Sequence, residues 1–409
     1  MKFVSRARTG NIMTGMTVSP SPAPSRISRG PGNNQLLYFT SSSLASGDAG
    51  LVFISDRTGS PNLYYADFAT GDEVQLTAHD DGILKSYVYF DGNPYRGFGK
   101  ASVSLDCDRG LVYYLHGRDI RVVDLKGRGR VVAQLPPGQM TAFTHVSADG
   151  TRLCVPTTDA RALDDENPLP AARPAYDVDA RIHQEGLSSY LRIYDTATGR
   201  ELAVEPVPAA WVTHVQFSPL SRDLILYNHE WPSFDCGVRR LWLWDGSRHR
   251  ALRNESAGDS GRARSRHDWT CHEMWERDGS FLIYHGTYHK GPAFLGRMRP
   301  DGSETQEIAL PDNWYQYGHF TVGRPGQLVS DGYYRTPETE PNGCGRWLTV
   351  LEVDWKRGHI EWTPLGRHGS SWASQDAHPH PILNHAGDTV FYTSDLEGPR
   401  SVYCQRLKV

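Results

Sequence analysis

From Ser41 onward the chain repeats one arrangement of apolar and polar positions. Each copy has a segment ending in a polar turn, an apolar strand, a polar or Gly turn, and a strand in which aromatic and branched residues alternate with polar ones. It reads SSSLASGDAGLVFISDRTGSPNLYYADF from Ser41 and ASVSLDCDRGLVYYLHGRDIRVVDL from Ala101. The third copy is THVSADGTRLCVPTTD from Thr144 with YLRIYDTATGRE from Tyr190, and the fourth is THVQFSPLSRDLILYNHE from Thr213 with RLWLWDGSRHR from Arg240. The fifth is HEMWERDGSFLIYHGTYHKGPAFLGRMRPDG from His272, and the sixth is GHFTVGRPGQLVSDGYYR from Gly318 with WLTVLEVDWKRGHIEW from Trp347. The seventh is AHPHPILNHAGDTVFYTSDLEGPRSVYCQRL from Ala377.

Period-2 alternation in short runs bounded by Asp-Gly, Gly-Asp and Gly-Pro turns marks strands and hairpins. Radial repetition of four-stranded sheets leaves only short, protected edges. The pattern predicts an all-β fold, a seven-bladed β-propeller forming a single domain over residues 1–409. The last copy lacks an outer strand, since two residues follow SVYCQRL. A strand near the N-terminus, Asn11 to Ser19, is expected to complete that blade, with Pro20 to Gly32 as a linker, so that residues 1–32 form a closing strand and its connection. The stretches Asp159 to Ser189 and Ser256 to Asp268 read as insertions, and loops that long are often functional.

Composition narrows the classes. With 38% hydrophobic and 22% charged residues, the 409-residue chain is neither disordered, collagen-like nor coiled coil. A formal charge of −4 provides no bulk pull towards nucleic acid or anionic lipid, so neither is expected as a partner. The opening MKFVSRARTGNIMTG lacks an apolar signal core, and no apolar run approaches the roughly 18 residues of a membrane span. A cytoplasmic location is the expectation. The six cysteines form no CxxC pair and are read as reduced thiols rather than disulfides or a zinc site.

The sharpest local chemistry is Gln375-Asp376-Ala377-His378-Pro379-His380. If these residues open an inner strand, positions i and i+2 project to one face and aim two imidazoles at a point, and neutral imidazole is the commonest protein ligand for divalent transition metals. His145, His214, His272 and His319 stand at or near the openings of their own inner strands, so the ring would converge them on one end of its axis. Each is equally readable as a strand-capping residue. Thirteen of the 17 histidines and all 11 tryptophans follow residue 210, which places the expected site in blades four to seven. Arg239 and Arg240 begin the strand RRLWLWD, alternation sends them to opposite faces, and the one pointing inward would suit a carboxylate by bidentate pairing. There is no GxSxG, P-loop, GxGxxG or HExxH. His285 and His289 are an i, i+4 pair placed in a strand and turn, where that spacing defines no metal face.

The ordered set WVTHVQF, NHEWP, RRLW, CHEMWERDGS, GHFTVGRPGQLVSDG, HGSSW, QDAHPHP and FYTSDLEGP resembles the oligogalacturonate lyases, β-propellers of polysaccharide lyase family 22 that act on pectin fragments. The resemblance is densest from Trp211 onward. Where that family carries a His-Arg pair in its first inner strand, this chain reads Asn33-Asn34-Gln35-Leu36-Leu37-Tyr38-Phe39.

The resemblance implies a carbon-oxygen lyase with Mn²⁺, or another divalent ion, held by His319, Gln375, His378 and His380. It implies His272 as the base that removes the C5 proton of a uronate and Arg240 as a partner of its carboxylate. His214, His145 and Trp372 are the expected substrate contacts, and the substrate is a small acidic oligosaccharide. The alternatives are a lyase for another uronate-containing oligosaccharide on the same scaffold, and a non-catalytic binding propeller of TolB or WD40 type.

Overall fold

The computed structural model describes residues 23–81, 89–90, 102–163, 178–230, 240–253, 269–288, 292–310, 314–315, 318–334, 347–373 and 375–407. Seven antiparallel sheets follow one another around a ring, as the repeats predict. Blade 1 runs outward through Asn34–Leu36, Gly50–Ser55, Asn62–Asp67 and Glu73–Gln75. The inner strands of blades 2 to 7 are Ser104–Asp106, His145–Val146, Val215–Ser218, Trp269–Trp275, Phe320–Val322 and Ile382–Leu383.

Local turn chemistry explains the repetition. In Asp149-Gly150, Asp278-Gly279 and Asp301-Gly302 the aspartate Oδ1 accepts the N–H two residues on, at 2.8 to 3.0 Å. The glycine that follows takes φ of +66°, +70° or +83°, a region that penalises a Cβ. The strands so paired bury alternate apolar residues between blades rather than within one sheet.

Seven apolar clusters, one for each pair of neighbouring blades, make up this core. The cluster joining blades 7 and 1 contains Leu36, Phe53, Ile382, Phe391 and Val402 and shows that the ring is closed. Full burial of one such side chain is worth about 1.5–3 kcal/mol.

The last blade is completed by an N-terminal strand, but not the one expected from the sequence. Ser25–Arg26 pairs with Cys404 and Tyr403, inside the stretch read as linker. Asn11 to Ser19 lies outside the described residues. The insertion in blade 3 contains a 3-10 turn, Ala160–Leu163, and a helix, Val178–Glu185, whose Ile182 packs with Met140, Ala162 and Leu187. The segment 256–268 with its three arginines also falls outside the described residues.

Candidate active site

Every inner strand runs in the same sense, so their N-terminal ends share one mouth of the central channel. At that end Phe143 of blade 3 bridges to His214 of blade 4. Tyr38 stacks on Phe143 with ring centroids 3.6 Å apart. His272 and His319 follow at 4.6 Å between centroids, and His319 lies 4.2 Å from His380 and 5.3 Å from His378. The wall is therefore aromatic on one side and imidazole on the other.

His319, His378 and His380 are buried, with one ligand atom from each within 4.8 Å of the others. Asp331, at the end of the second strand of blade 6, organises them. Its Oδ1 accepts the His319 N–H at 2.6 Å, and its Oδ2 stands 3.2 Å from Nδ1 of the same ring. That oxygen also accepts the His380 N–H at 3.1 Å. Burial works to raise the Asp331 carboxyl, but the imidazole of His319 and its hydrogen bonds outweigh it and hold the group below the usual range. A carboxylate on Nδ1 leaves Nε2 of His319 to act as ligand, the arrangement that metal-binding histidines ordinarily have.

His378 and His380 do not converge through strand alternation. The strand begins at Ile382, Gln375–Ala377 is a 3-10 turn, and His380 takes φ +43°. The turn and this left-handed residue bring the two rings together. The Gln375 side chain lies outside what is described. Trp372, also left-handed at φ +56°, sets its ring 4.1 Å from that of His378 and donates Nε1–H to Nε2 of His368 at 3.4 Å.

His272 sits at a bulge. The ladder pairs Cys271 with His285 and Glu273 with Tyr284, leaving His272 at the register shift with φ +43°. Its Nδ1 is 2.9 Å from Nε2 of His285, which also hydrogen-bonds to the backbone of Gly318. With that carbonyl accepting from Nδ1–H of His285, Nε2 of His285 accepts from Nδ1–H of His272. The free lone pair of His272 is then on Nε2. Burial above all, then the neighbouring His319, His285 and Arg240, hold His272 well below the ordinary histidine range. Burial likewise pulls His285 down to about 3.

Arg240 is 2% exposed and stands between two carboxylates. Its Nε donates to Glu273 at 3.0 Å and its Nη1 to Glu230 at 3.0 Å. Burial opposes its charge, yet Glu230 and Glu273 raise it well above the ordinary arginine value. The structure thus brings Arg240 to the site already paired. Arg239 lies outside the described residues.

His214 is likewise committed. Its Nδ1–H faces the Glu273 carboxylate at 2.8 Å and its Nε2 is 3.3 Å from the Tyr38 hydroxyl. His145 is not brought to this mouth. Its Nδ1 accepts the Phe217 N–H at 3.2 Å, and it lines a cavity of ≈ 320 Å³ built from the other ends of the inner strands.

Sequence reasoning missed Tyr38, Phe143, Glu230, Glu273, His285 and Asp331 as members of the site. Two stood beside residues it did select: Glu273 follows His272, and Asp331 lies in the SDG of the GHFTVGRPGQLVSDG segment. His289 lies outside the described residues.

No family model matches the chain. It is 25% identical over 217 residues to an oligogalacturonide lyase of Pectobacterium atrosepticum, covering 48% of this chain and 50% of that protein. It is 26% identical over 218 residues to an oligogalacturonate lyase of Dickeya dadantii, with the same coverage. The matched region thus spans about half the length of these curated relatives. Among solved structures, an oligogalacturonate lyase in complex with manganese superposes with TM-score 0.72 at 21% identity, over 98% of this chain and 99% of that one. An oligogalacturonate lyase from Vibrio parahaemolyticus gives 0.73 at 20% identity, over 98% and 99%. In sequence over about half its length, and in fold over almost all of it, this chain resembles the oligogalacturonate lyases.

Proposed function

We propose that this protein is a divalent-metal-dependent lyase that cleaves short oligogalacturonides by β-elimination. The observation that carries the reading is a neutral imidazole with its Nε2 lone pair free, His272, set beside three buried, convergent imidazoles at one channel mouth. The similarity to oligogalacturonate lyases supports the substrate class. Localisation in the cytoplasm, where imported fragments would be met, is part of the same proposal.

The donor set fits a metal: three imidazole nitrogens, one of them steered by a buried carboxylate. His319, His378 and His380, with Gln375 as the resemblance implies, would hold the ion. Manganese is the proposed occupant, as in the similar solved lyase. When bound, the ion supplies positive charge that stabilises negative charge developing on the uronate carboxylate.

The chain's own residues do the rest. Nε2 of His272 takes the C5 proton, the C–H electrons form the C4–C5 double bond, and the C4–O4 bond breaks with O4 leaving. The chain from His272 through His285 to the Gly318 carbonyl holds the tautomer this step needs. Arg240 reaches the substrate carboxylate by exchanging Glu230, whose side chain is 13% exposed against 1% for Glu273. Trp372 offers a flat face to the sugar beside His378. The Glu273 and Tyr38 hydrogen bonds assign His214 a supporting place, and the proposal does not use His145.

The deciding experiment treats the protein with chelator, incubates it with di- and trigalacturonate with and without Mn²⁺, and weighs the products. Metal-dependent products without added water are expected. Products carrying added water would overturn elimination. The absence of the family's His-Arg pair near Gln35-Leu36 favours a second reading, a lyase for a different uronate. Turnover of other uronate oligomers in preference to galacturonides would select it, and no turnover on any would select a binding propeller.

A further inference from the structure

Beside the three convergent imidazoles lies a second group of donors, Cys271, His272 and His285. All are buried, with ligand atoms within 4.8 Å of one another. The backbone builds it. Cys271 and His285 are directly opposed across the first two strands of blade 5, so their side chains share a face. His272, the next residue, would turn to the other face in a regular strand. The bulge returns it to the same side.

We propose that Cys271, His272 and His285 form a second cation site, selective for soft divalent ions such as Zn²⁺, Cd²⁺ or Co²⁺, and that its occupation switches off the base. One thiolate and two imidazoles are a set that soft and borderline ions favour, with a fourth position left open, and the soft thiolate is what discriminates here against Mn²⁺. The nearby charge of Arg240 is covered by Glu230 and Glu273. The nitrogens that face each other are Nδ1 of His272 and Nε2 of His285, so the ion takes the place of the proton between them.

The balance is simple. The Cys271 thiol releases one proton to solvent. Each ring keeps a single N–H, which for His285 stays on Nδ1 towards Gly318 and for His272 moves to Nε2. That nitrogen can then no longer accept a proton from a substrate. Metal binding stands by itself, and its inhibitory consequence rests on the lyase reading.

The test is optical titration of the Mn²⁺-loaded protein with Co²⁺. A sulfur-to-cobalt charge-transfer band in the near ultraviolet is expected, because the three-histidine site contains no sulfur. The band should vanish in Cys271→Ser. Losing even an outer partner of a metal ligand costs about 10–100-fold in affinity, so losing the sulfur should raise the Zn²⁺ concentration for half-inhibition of lyase activity at least about tenfold. Absence of the band in the unaltered protein, or its persistence in Cys271→Ser, overturns the site. Zinc inhibition that excess Mn²⁺ reverses and Cys271→Ser leaves unchanged overturns the switch. The wild-type spectrum decides by itself if the variant does not fold, and it reads the site even in a protein that cleaves no uronate.

Discussion

Asp331 holds His319 twice, accepting its backbone N–H at 2.6 Å with one oxygen and facing its Nδ1 at 3.2 Å with the other. The second oxygen also accepts the His380 N–H, so one carboxylate sets the spacing of two blades' ligands. Asp331→Asn keeps the size and removes the charge that fixes the tautomer. Affinity for Mn²⁺ should fall about 10–100-fold, read by isothermal titration, with the fold unchanged in circular dichroism. Unaltered affinity would mean that His319 does not ligate through Nε2.

Removing the base should separate chemistry from metal binding. His272→Gln is expected to lower turnover of trigalacturonate by about 10²–10⁴-fold. Mn²⁺ content should stay at the wild-type level, measured by atomic absorption after dialysis. Parallel loss of both would reassign His272 to the metal.

Glu273 pairs with both Arg240 and His214 in a buried position. Glu273→Ala leaves the guanidinium with Glu230 as its remaining carboxylate and the imidazole without its acceptor. Breaking a buried pair from one side costs about 3–5 kcal/mol, which chemical denaturation would read as a lowered midpoint at unchanged slope. A change below about 1 kcal/mol would mean that water replaces the carboxylate, a sign of a wetter site than the burial suggests.

His145 provides a pH signature away from the active mouth. Burial pulls its value down to about 4 from the ordinary 6.5. Between those two values the unfolded chain binds a proton that the folded chain refuses. This contribution is therefore complete above pH 6.5, declines as the pH falls towards 4, and is flat below. The ring keeps some access to water, so the loss is at most about 3 kcal/mol. His145→Asn, which can still accept the Phe217 N–H, should flatten that part of the stability profile against pH. An unchanged slope would place the titration elsewhere.

The repeat pattern made the ring and its blade count legible, because alternation and Asp-Gly turns act locally. It also placed His272, His319, His378 and His380 near one mouth. The dipeptide Thr-His occurs at Thr144-His145 and Thr213-His214, yet Phe143, not His145, bridges to His214. A two-residue offset keeps the face and moves the side chain by about 7 Å along the strand. No local signal reports such a phase. The bulge at His272 and the left-handed His380 are similarly silent, since each is stabilised by neighbours distant in sequence. Arg240 was visible as a charge, but Glu230 reaches it across a strand pairing inside blade 4, and Glu273 meets it only once blades 4 and 5 are packed.

The pairing of Ser25 with Cys404 bears on how the molecule is made. These two positions lie almost a whole chain apart, and a contact so remote in sequence carries a large entropic cost until everything between them is ordered. During synthesis the segment at Ser25 leaves the ribosome early and must wait, unpaired, until Ser401–Arg406 has emerged. The ring is then latched only once its last blade has been made, and the waiting last blade, with one edge bare, is the interval in which a second chain could take the vacant place.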